Sequence, residues 1–235
     1  MRAMILAAGR GKRMQPLTDQ LPKPLLKAGD RRLIDWSIDS LRGAGIDEVV
    51  VNIAHLADTF YPILGESYRG VRIIYSREGA TYGESLETLG GIVKALPLLS
   101  GDTDEPFIVV AGDIATDFDF SRLVAQRERL LQGQIDAHLV LVPNPDFHLE
   151  GDMGLEKGKV TRKVRTHTFS SIGIYSPRIF REEAVRFEKL FPWLYQFIDS
   201  GRVSGEIYFG YWNNVGTPQA LEDLAKDPAH FGRPV

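Results

Sequence analysis

An α/β fold built around a mostly parallel sheet is predicted by three features of this 235-residue sequence. Strand-length apolar runs alternate with amphipathic segments of helical period as far as residue 142, the pattern of β–α–β units. The first strand ends in a glycine-rich basic turn, at the edge where open α/β sheets bind ligands. Cysteine is absent, so no disulfide or thiolate-held metal braces the chain, and a packed core must do so.

The elements follow in order. Residues 3–8 are a continuous apolar run and read as a buried strand, and 32–44 read as a helix with Leu33, Ile34, Ile38 and Leu41 on one face. Residues 48–53 are a β-branched strand, 55–64 a helix, 71–75 a strand and 87–99 a helix. Residues 107–111 are apolar throughout and run into Gly112-Asp113, followed by a helix over 121–131 and a strand over 137–142. Such unbroken apolar strands indicate a sheet covered by helices on both faces. The second half changes character, with short antiparallel strands expected at 153–155, 159–164 and 169–175. Helices are expected over 178–187 and 190–200, and a last strand over 206–212. No linker-like tract of Pro, Gly and Ser divides the halves. One domain over residues 1–235 is expected, its first half reaching about residue 145 and its second running from 146 to about 220.

Composition bounds the function. Hydrophobic residues make up 43% and charged residues 25%, an ordinary globular balance. A chain of this length buries about 70–75% of its unfolded surface and needs no staples. The net charge of −3 argues against broad attraction to nucleic acid or to anionic membranes. No apolar run approaches the length of about 18 residues that a membrane helix needs. The first strand begins at once with no leader pattern before it, so a cytoplasmic protein is expected. The five histidines (55, 138, 148, 167 and 230) have neither H-x-H nor H-E-x-x-H spacing, and a structural or surface role is expected for them.

The chemistry concentrates in the first turn. Leu6-Ala7-Ala8-Gly9-Arg10-Gly11-Lys12-Arg13 places two glycines and three cations directly after a strand. Glycines let the backbone approach an anion and aim successive N–H groups at its oxygens, while cations add charge-assisted contacts. The spacing is neither the Rossmann fingerprint nor the Walker loop. Ten residues on, Pro22-Lys23-Pro24 fixes the backbone around a lysine, a second candidate phosphate clamp. Lys23 and Arg13 are both expected to be exposed loop cations. Asp113, just past the end of an apolar strand, is placed to hold a divalent cation over the same phosphates. Asp117 and Asp119 read as the start of a helix.

The pair L-A-A-G-x-G-x-R-M and P-K-P-L resembles the opening of the sugar-1-phosphate nucleotidyltransferases. The resemblance implies a Rossmann-like, GT-A-like fold with a small antiparallel sugar-binding part. It implies attack by a sugar-1-phosphate oxygen on the α-phosphorus of a nucleoside triphosphate, with Mg²⁺ (or Mn²⁺) as cofactor. The catalytic residues it points to are Arg13, Lys23 and Asp113. Nucleotide contacts would come from Leu6, Ala7, Ala8, Gly9, Arg10, Gly11 and Lys12, again with Arg13 and Lys23. Glu87, Gly90 and Gly91 would border the base.

Two departures stand out. The family's second metal aspartate falls in a W-x-D-[VI]-G-T pattern, whereas this chain has Trp212-Asn213-Asn214-Val215-Gly216-Thr217. Asn214 keeps a ligating oxygen and loses the charge, so weakened turnover is expected. Leu89 stands where relatives have glycine, after several extra residues around 80–84, and a bulkier base loop is expected.

Within the family the chain is most similar to the branch that uridylylates N-acetylmuramic acid α-1-phosphate in peptidoglycan recycling. The similarity takes in residues 92–99, 112–113, 117–120 and 203–206. It makes UTP and a sugar-1-phosphate the expected partners, with no nucleic acid or membrane, in a monomer or small homo-oligomer. Asp152, Ser170, Glu206 and Tyr208 are the expected sugar contacts. Only 18 residues follow Thr217, so no β-helical acyltransferase half is expected. The alternatives are mannose-1-phosphate with GTP, phosphocholine with CTP, and a nucleotide-sugar-binding protein without turnover.

Overall fold

The computed structural model describes residues 1–79 and 85–226. Strand β1 (Ala3–Leu6) leads into 3-10 turns at Lys12–Met14, Leu17–Asp19 and Lys23–Leu25. A small hairpin of β2 (Lys27–Ala28) and β3 (Arg31–Arg32) precedes α1 (Leu33–Gly43). Then come β4 (Glu48–Ile53), α2 (Phe60–Leu64), β5 (Ser67–Tyr68), β6 (Val71–Arg77) and α3 (Glu87–Leu99). They are followed by β7 (Phe107–Ala111), β8 (Ile114–Thr116), α4 (Ser121–Val124), α5 (Arg127–Leu131) and β9 (Ala137–Pro143). The second half contains β10 (Gly154–Glu156), β11 (Lys159–Thr161), β12 (His167–Tyr175), α6 (Leu190–Trp193) and α7 (Tyr195–Asp199). Last are β13 (Val203–Ile207), β14 (Trp212–Asn214) and α8 (Pro218–Lys226).

One mixed sheet of ten strands runs through both halves in the order β10-β11-β13-β9-β12-β7-β1-β4-β6-β5. Its centre, β7-β1-β4-β6, is parallel, and β12 joins it antiparallel to β7. The register pairs Leu6 with Ala111, so the two strand ends are level. The glycine loop and Gly112-Asp113 therefore leave the sheet side by side.

Side chains alternate across the sheet as a period of two requires. Ile5, Val51 and Val110 share one core with Ile34, Ile38, Phe118 and Phe120. Met4, Val50 and Val109 share the other with Leu89, Ile92 and Ala95 of α3. A third cluster joins Met14, Leu26 and Trp36 to Val215, Leu221 and Leu224, fastening the loop after β1 to the C-terminal helix. No helix among the described residues is long and apolar enough to cross a membrane.

Several segments differ from the sequence reading. Of the helix expected over 55–64, only Phe60–Leu64 is α-helical, after a 3-10 turn at Ala57–Thr59, and the strand expected over 159–164 stops at Thr161. The helix expected over 121–131 is broken into α4 and α5, and that over 190–200 into α6 and α7. Phe191 is extended (φ −107°, ψ 132°) because the ring of Pro192 disfavours a helical residue before it. Of 178–187, only the 3-10 turn Pro177–Phe180 is helical. The chain just beyond serves α3 instead: the Glu188 carbonyl accepts Leu89 N–H at 3.0 Å and Gly90 N–H at 3.3 Å, first-turn donors with no partner inside their helix. The last expected strand starts earlier and stops at Ile207, and Trp212 belongs to β14, paired with β8.

This docking leaves no room at Gly90, where a Cβ would overlap the Arg186 carbonyl oxygen. Gly90→Ala should therefore cost about 1–3 kcal/mol, as overpacking does. Urea denaturation checks it, and an unchanged midpoint would mean that the 186–188 segment yields freely.

Candidate active site

The loop after β1 closes over a cavity walled by Gly9, Gly11, Lys12, Arg13, Lys23 and Asp113. Gly11 sits at φ +59°, and a Cβ there would be 2.9 Å from Thr18 Cγ2 and 3.3 Å from Lys23 Cβ. Glycine is thus required both for the turn and for the approach of Lys23. Thr18 locks the loop by donating its hydroxyl to Gly11 O at 3.0 Å, while Met14 is buried as its anchor. Arg13 is exposed, with its guanidinium 3.4 Å from where a Cβ would stand on Gly216. The W-N-N-V-G-T segment thereby reaches the glycine loop. Arg10 is exposed and, with Ala8, lies outside the cavity wall.

Lys23 overturns one expectation. It is 8% exposed, and its ammonium sits 2.5 Å from Asp113 Oδ2, across 90 residues of sequence. Pro22 and Pro24 hold its stem in the 3-10 turn, and burial against Gly11 does the rest. Asp113 is carried on a main chain that is itself tied down: Gly112 N–H donates to Leu6 O at 2.9 Å, and Val215 N–H to Asp113 O at 3.1 Å.

Ala7, which lines the cavity, is held by a buried relay that the sequence reading missed. Ala7 N–H donates to Asn52 Oδ1 at 2.7 Å, and Asn52 Nδ2 donates to Glu78 Oε1. Glu78 Oε2 accepts Leu86 N–H at 2.7 Å, which ties the phosphate loop to the start of α3. Burial pushes the Glu78 carboxyl up, and the hydrogen bonds from Leu86 and Asn52 oppose that shift. Polar Asn52 and Glu78 within or just after apolar strands were the available signal.

Asn214 keeps a side-chain oxygen that no other described group engages. It pairs with Ile114 in the β14–β8 ladder, next to Asp113, and its Oδ1 is buried with no hydrogen-bond partner among the described residues. A buried acceptor left unpaired costs free energy unless something else occupies it. No group of three or more His, Cys, Asp or Glu that could hold a metal occurs among the described residues. One carboxylate and one amide oxygen, completed by phosphate and water, suit Mg²⁺, and the residues present fit it.

Other expected site residues are placed elsewhere. Gly90 and Gly91 are buried, Gly90 against the Arg186 backbone and Gly91 against Glu78 and Asn52. Their missing side chains admit the Arg186 main chain and the Glu78 and Asn52 side chains against α3. Leu89 is buried in the core beside Ile92, so its bulk does not enlarge the base loop. The residues 80–84 lie outside the described residues. Ser170 is fully buried and donates to Val140 O at 2.7 Å, whereas Ser171 faces a cavity. Glu206 is paired with Arg122 and with His138, 3.4 Å away, on the sheet face that carries Phe118. Tyr208 donates its hydroxyl to Asp117 and packs edge-on against Phe118 at 5.1 Å; burial first, then that bond, pushes its phenol up. Asp152 accepts Phe169 N–H at 2.9 Å and meets His148 Nε2 at 2.9 Å, bracing the start of β12. Asp119 accepts Ser121 N–H at 2.9 Å, as expected of a helix start.

A family model described as nucleotidyl transferase matches residues 2–162. The chain is 44% identical to the N-acetylmuramate α-1-phosphate uridylyltransferase of Neisseria meningitidis serogroup B, over 95% of this chain and 96% of that protein. It is 31% identical to the protein of the same description from Caulobacter vibrioides, over 93% of both chains. Among solved structures, one described as a glucose-1-phosphate thymidylyltransferase of Bacillus anthracis superposes with a TM-score of 0.78. It covers 97% of this chain and 96% of its own at 19% identity, a likeness of fold.

Proposed function

We propose that this chain, which belongs to the nucleotidyl transferase family, transfers a uridylyl group from UTP to N-acetylmuramic acid α-1-phosphate. The products would be UDP-N-acetylmuramic acid and pyrophosphate, in cytoplasmic recycling of cell-wall sugar, by one domain over residues 1–235. The observation that supports the reaction class is the meeting of Lys23 and Asp113 beneath the glycine loop. The substrate pair rests on the 44% identity along nearly the whole of both chains.

In this reading an oxygen of the sugar phosphate attacks the α-phosphorus while the bond to the β-phosphate breaks, and pyrophosphate leaves. Positioning and charge neutralisation then account for most of the catalysis. N–H groups at Gly9 to Gly11, with Lys12 and Arg13, hold the departing phosphates. The Lys23 ammonium shifts from Asp113 to the phosphate oxygens as charge gathers on them. Asp113 and Asn214 would hold Mg²⁺ or Mn²⁺, which would supply positive charge to the reacting phosphates.

A panel of UTP, GTP and CTP against N-acetylmuramic acid 1-phosphate, mannose 1-phosphate and phosphocholine, read by pyrophosphate release, tests the proposal. Release is expected with the first of each set. Release chiefly with GTP and mannose 1-phosphate, or nucleotide-sugar binding without any release, would overturn it. Asn214→Asp should raise turnover several-fold when Mg²⁺ is scarce and much less when it is abundant, because it restores a second charged ligand. No change at any Mg²⁺ concentration would mean that the missing charge does not limit the enzyme.

A further inference from the structure

A second cavity adjoins the phosphate site at Leu6, a residue that lines both, and spreads across β7 and β12 on the α3 side of the sheet. Its walls are mainly apolar, with Val109, Phe169, Tyr175 and Phe191 among them. Two residues in its lining, Glu87 (φ +60°) and Ser171 (φ +62°), are non-glycine residues in the left-handed region. That conformation is disfavoured for L side chains and gathers at ligand sites. Ser171 lies where the pairing of β12 with β9 slips between Phe169 and Gly173, the kind of irregularity that re-aims a side chain.

Among the described residues that line the cavity, Lys189 is the one cation and Glu87, at the start of α3, the one carboxylate. Lys189 is exposed, and no ion pair or hydrogen bond engages its ammonium among the described residues. The neighbouring cation Arg186, by contrast, is bound to Glu183 and Glu188. An unpaired ammonium at the rim of an apolar cavity suits an anionic group on a largely carbon framework.

We propose that this cavity takes the sugar of the acceptor and that Lys189 selects sugar 1-phosphates bearing a carboxylate, holding that group beside Phe169 and Phe191. The inference rests on the sugar-phosphate reading above and adds what that reading lacks, the residue that tells an acidic sugar from a neutral one. Leu6 is where the two cavities meet, so an acceptor phosphate at Lys23 would place its sugar in the second. The rings of Phe169 and Phe191, 5.5 Å apart and edge to face, form a firm apolar wall.

N-acetylmuramic acid 1-phosphate and N-acetylglucosamine 1-phosphate, which differ by one carboxylate-bearing ether substituent, provide the test. Their kcat/KM values with UTP are compared for the natural protein and for Lys189→Ala, Lys189→Arg and Lys189→Glu. The natural protein should favour the acidic sugar. In Lys189→Ala that preference should fall about 10–100-fold, the scale of one charge-assisted contact, through KM rather than kcat. Lys189→Arg should restore most of it, and Lys189→Glu should reduce it further. Equal losses on both sugars would make Lys189 a phosphate contact, and a raised KM for UTP would make the cavity a nucleotide subsite; either result overturns the inference while leaving the nucleotidyltransferase reading intact. Absence of turnover with every sugar phosphate in the natural protein overturns both.

Discussion

Lys23→Ala is expected to reduce turnover about 10²–10³-fold, the usual loss when one preorganised charge donor leaves a transition state. It should also lower the folding midpoint, which the same change at an exposed lysine would not do. Lys23 is 8% exposed, and its stem packs against Gly11 while its ammonium meets Asp113 at 2.5 Å. Alanine removes the stem contacts and leaves the carboxylate without its cation. The Asp113 side chain is 26% exposed, so water can solvate it, and a stability loss of about 1 kcal/mol is the reasonable scale. Lys23→Met separates the two effects. It keeps most of the buried stem and removes the charge, so stability should largely return and turnover should not. Arg13→Ala, at an exposed position, should impair turnover with the midpoint nearly unmoved. Near-normal turnover in Lys23→Met would take the ammonium out of the mechanism.

The contrast between Lys23 and Glu206 shows which parts of the site could be read from sequence. A strand followed by Gly-x-Gly and cations is a local pattern, and its geometry follows from the strand end and the turn. Asp113 was equally legible, because an apolar run that ends at a carboxylate identifies a strand end. Burial of Lys23 was not, since it depends on the close approach permitted by Gly11, twelve residues away in sequence. The second half depends on parity. Ser170 and Ser171 are adjacent, and a bulge in β12 decides which one is buried against Val140 and which lines the cavity. Glu206 lies on the sheet face of Arg122 and Phe118 because β13 pairs in parallel with β9, a partner about 65 residues away. Gly90 and Gly91 have the same difficulty: a glycine that admits a ligand and one that admits a neighbouring chain look alike until the neighbour is known. Here the neighbours are the Arg186 carbonyl and the Glu78 carboxylate.

Asp113→Asn should have the largest effect of any single change, a loss of about three orders of magnitude or more at ordinary Mg²⁺. The reason is the charge count of the proposed cation site. Asp113 would be its carboxylate and Asn214 would contribute only an amide oxygen, so the variant would offer two neutral oxygens to a hard divalent ion. Loss of a bound cation removes several kcal/mol of charge stabilisation at the reacting phosphates, and each factor of ten in rate is about 1.4 kcal/mol. The fold should persist, because main-chain bonds at Gly112 N, Asp113 O and Val215 N hold this turn whatever the side chain. Lys23 would lose its ion-pair partner but keep a hydrogen-bond acceptor of nearly the same shape. Calorimetry should still detect nucleotide on the variant, since Gly9 and Gly11 line the cavity and the loop is held by Thr18 and Met14 rather than by the Asp113 side chain. Mn²⁺ titration followed by electron paramagnetic resonance, with nucleotide present, should show weaker binding in Asp113→Asn and tighter binding in Asn214→Asp. Unaltered Mn²⁺ affinity in Asp113→Asn, or natural-protein activity that survives excess chelator, would remove this pair of residues from any metal site and leave Lys23 and the glycine loop to perform the transfer alone.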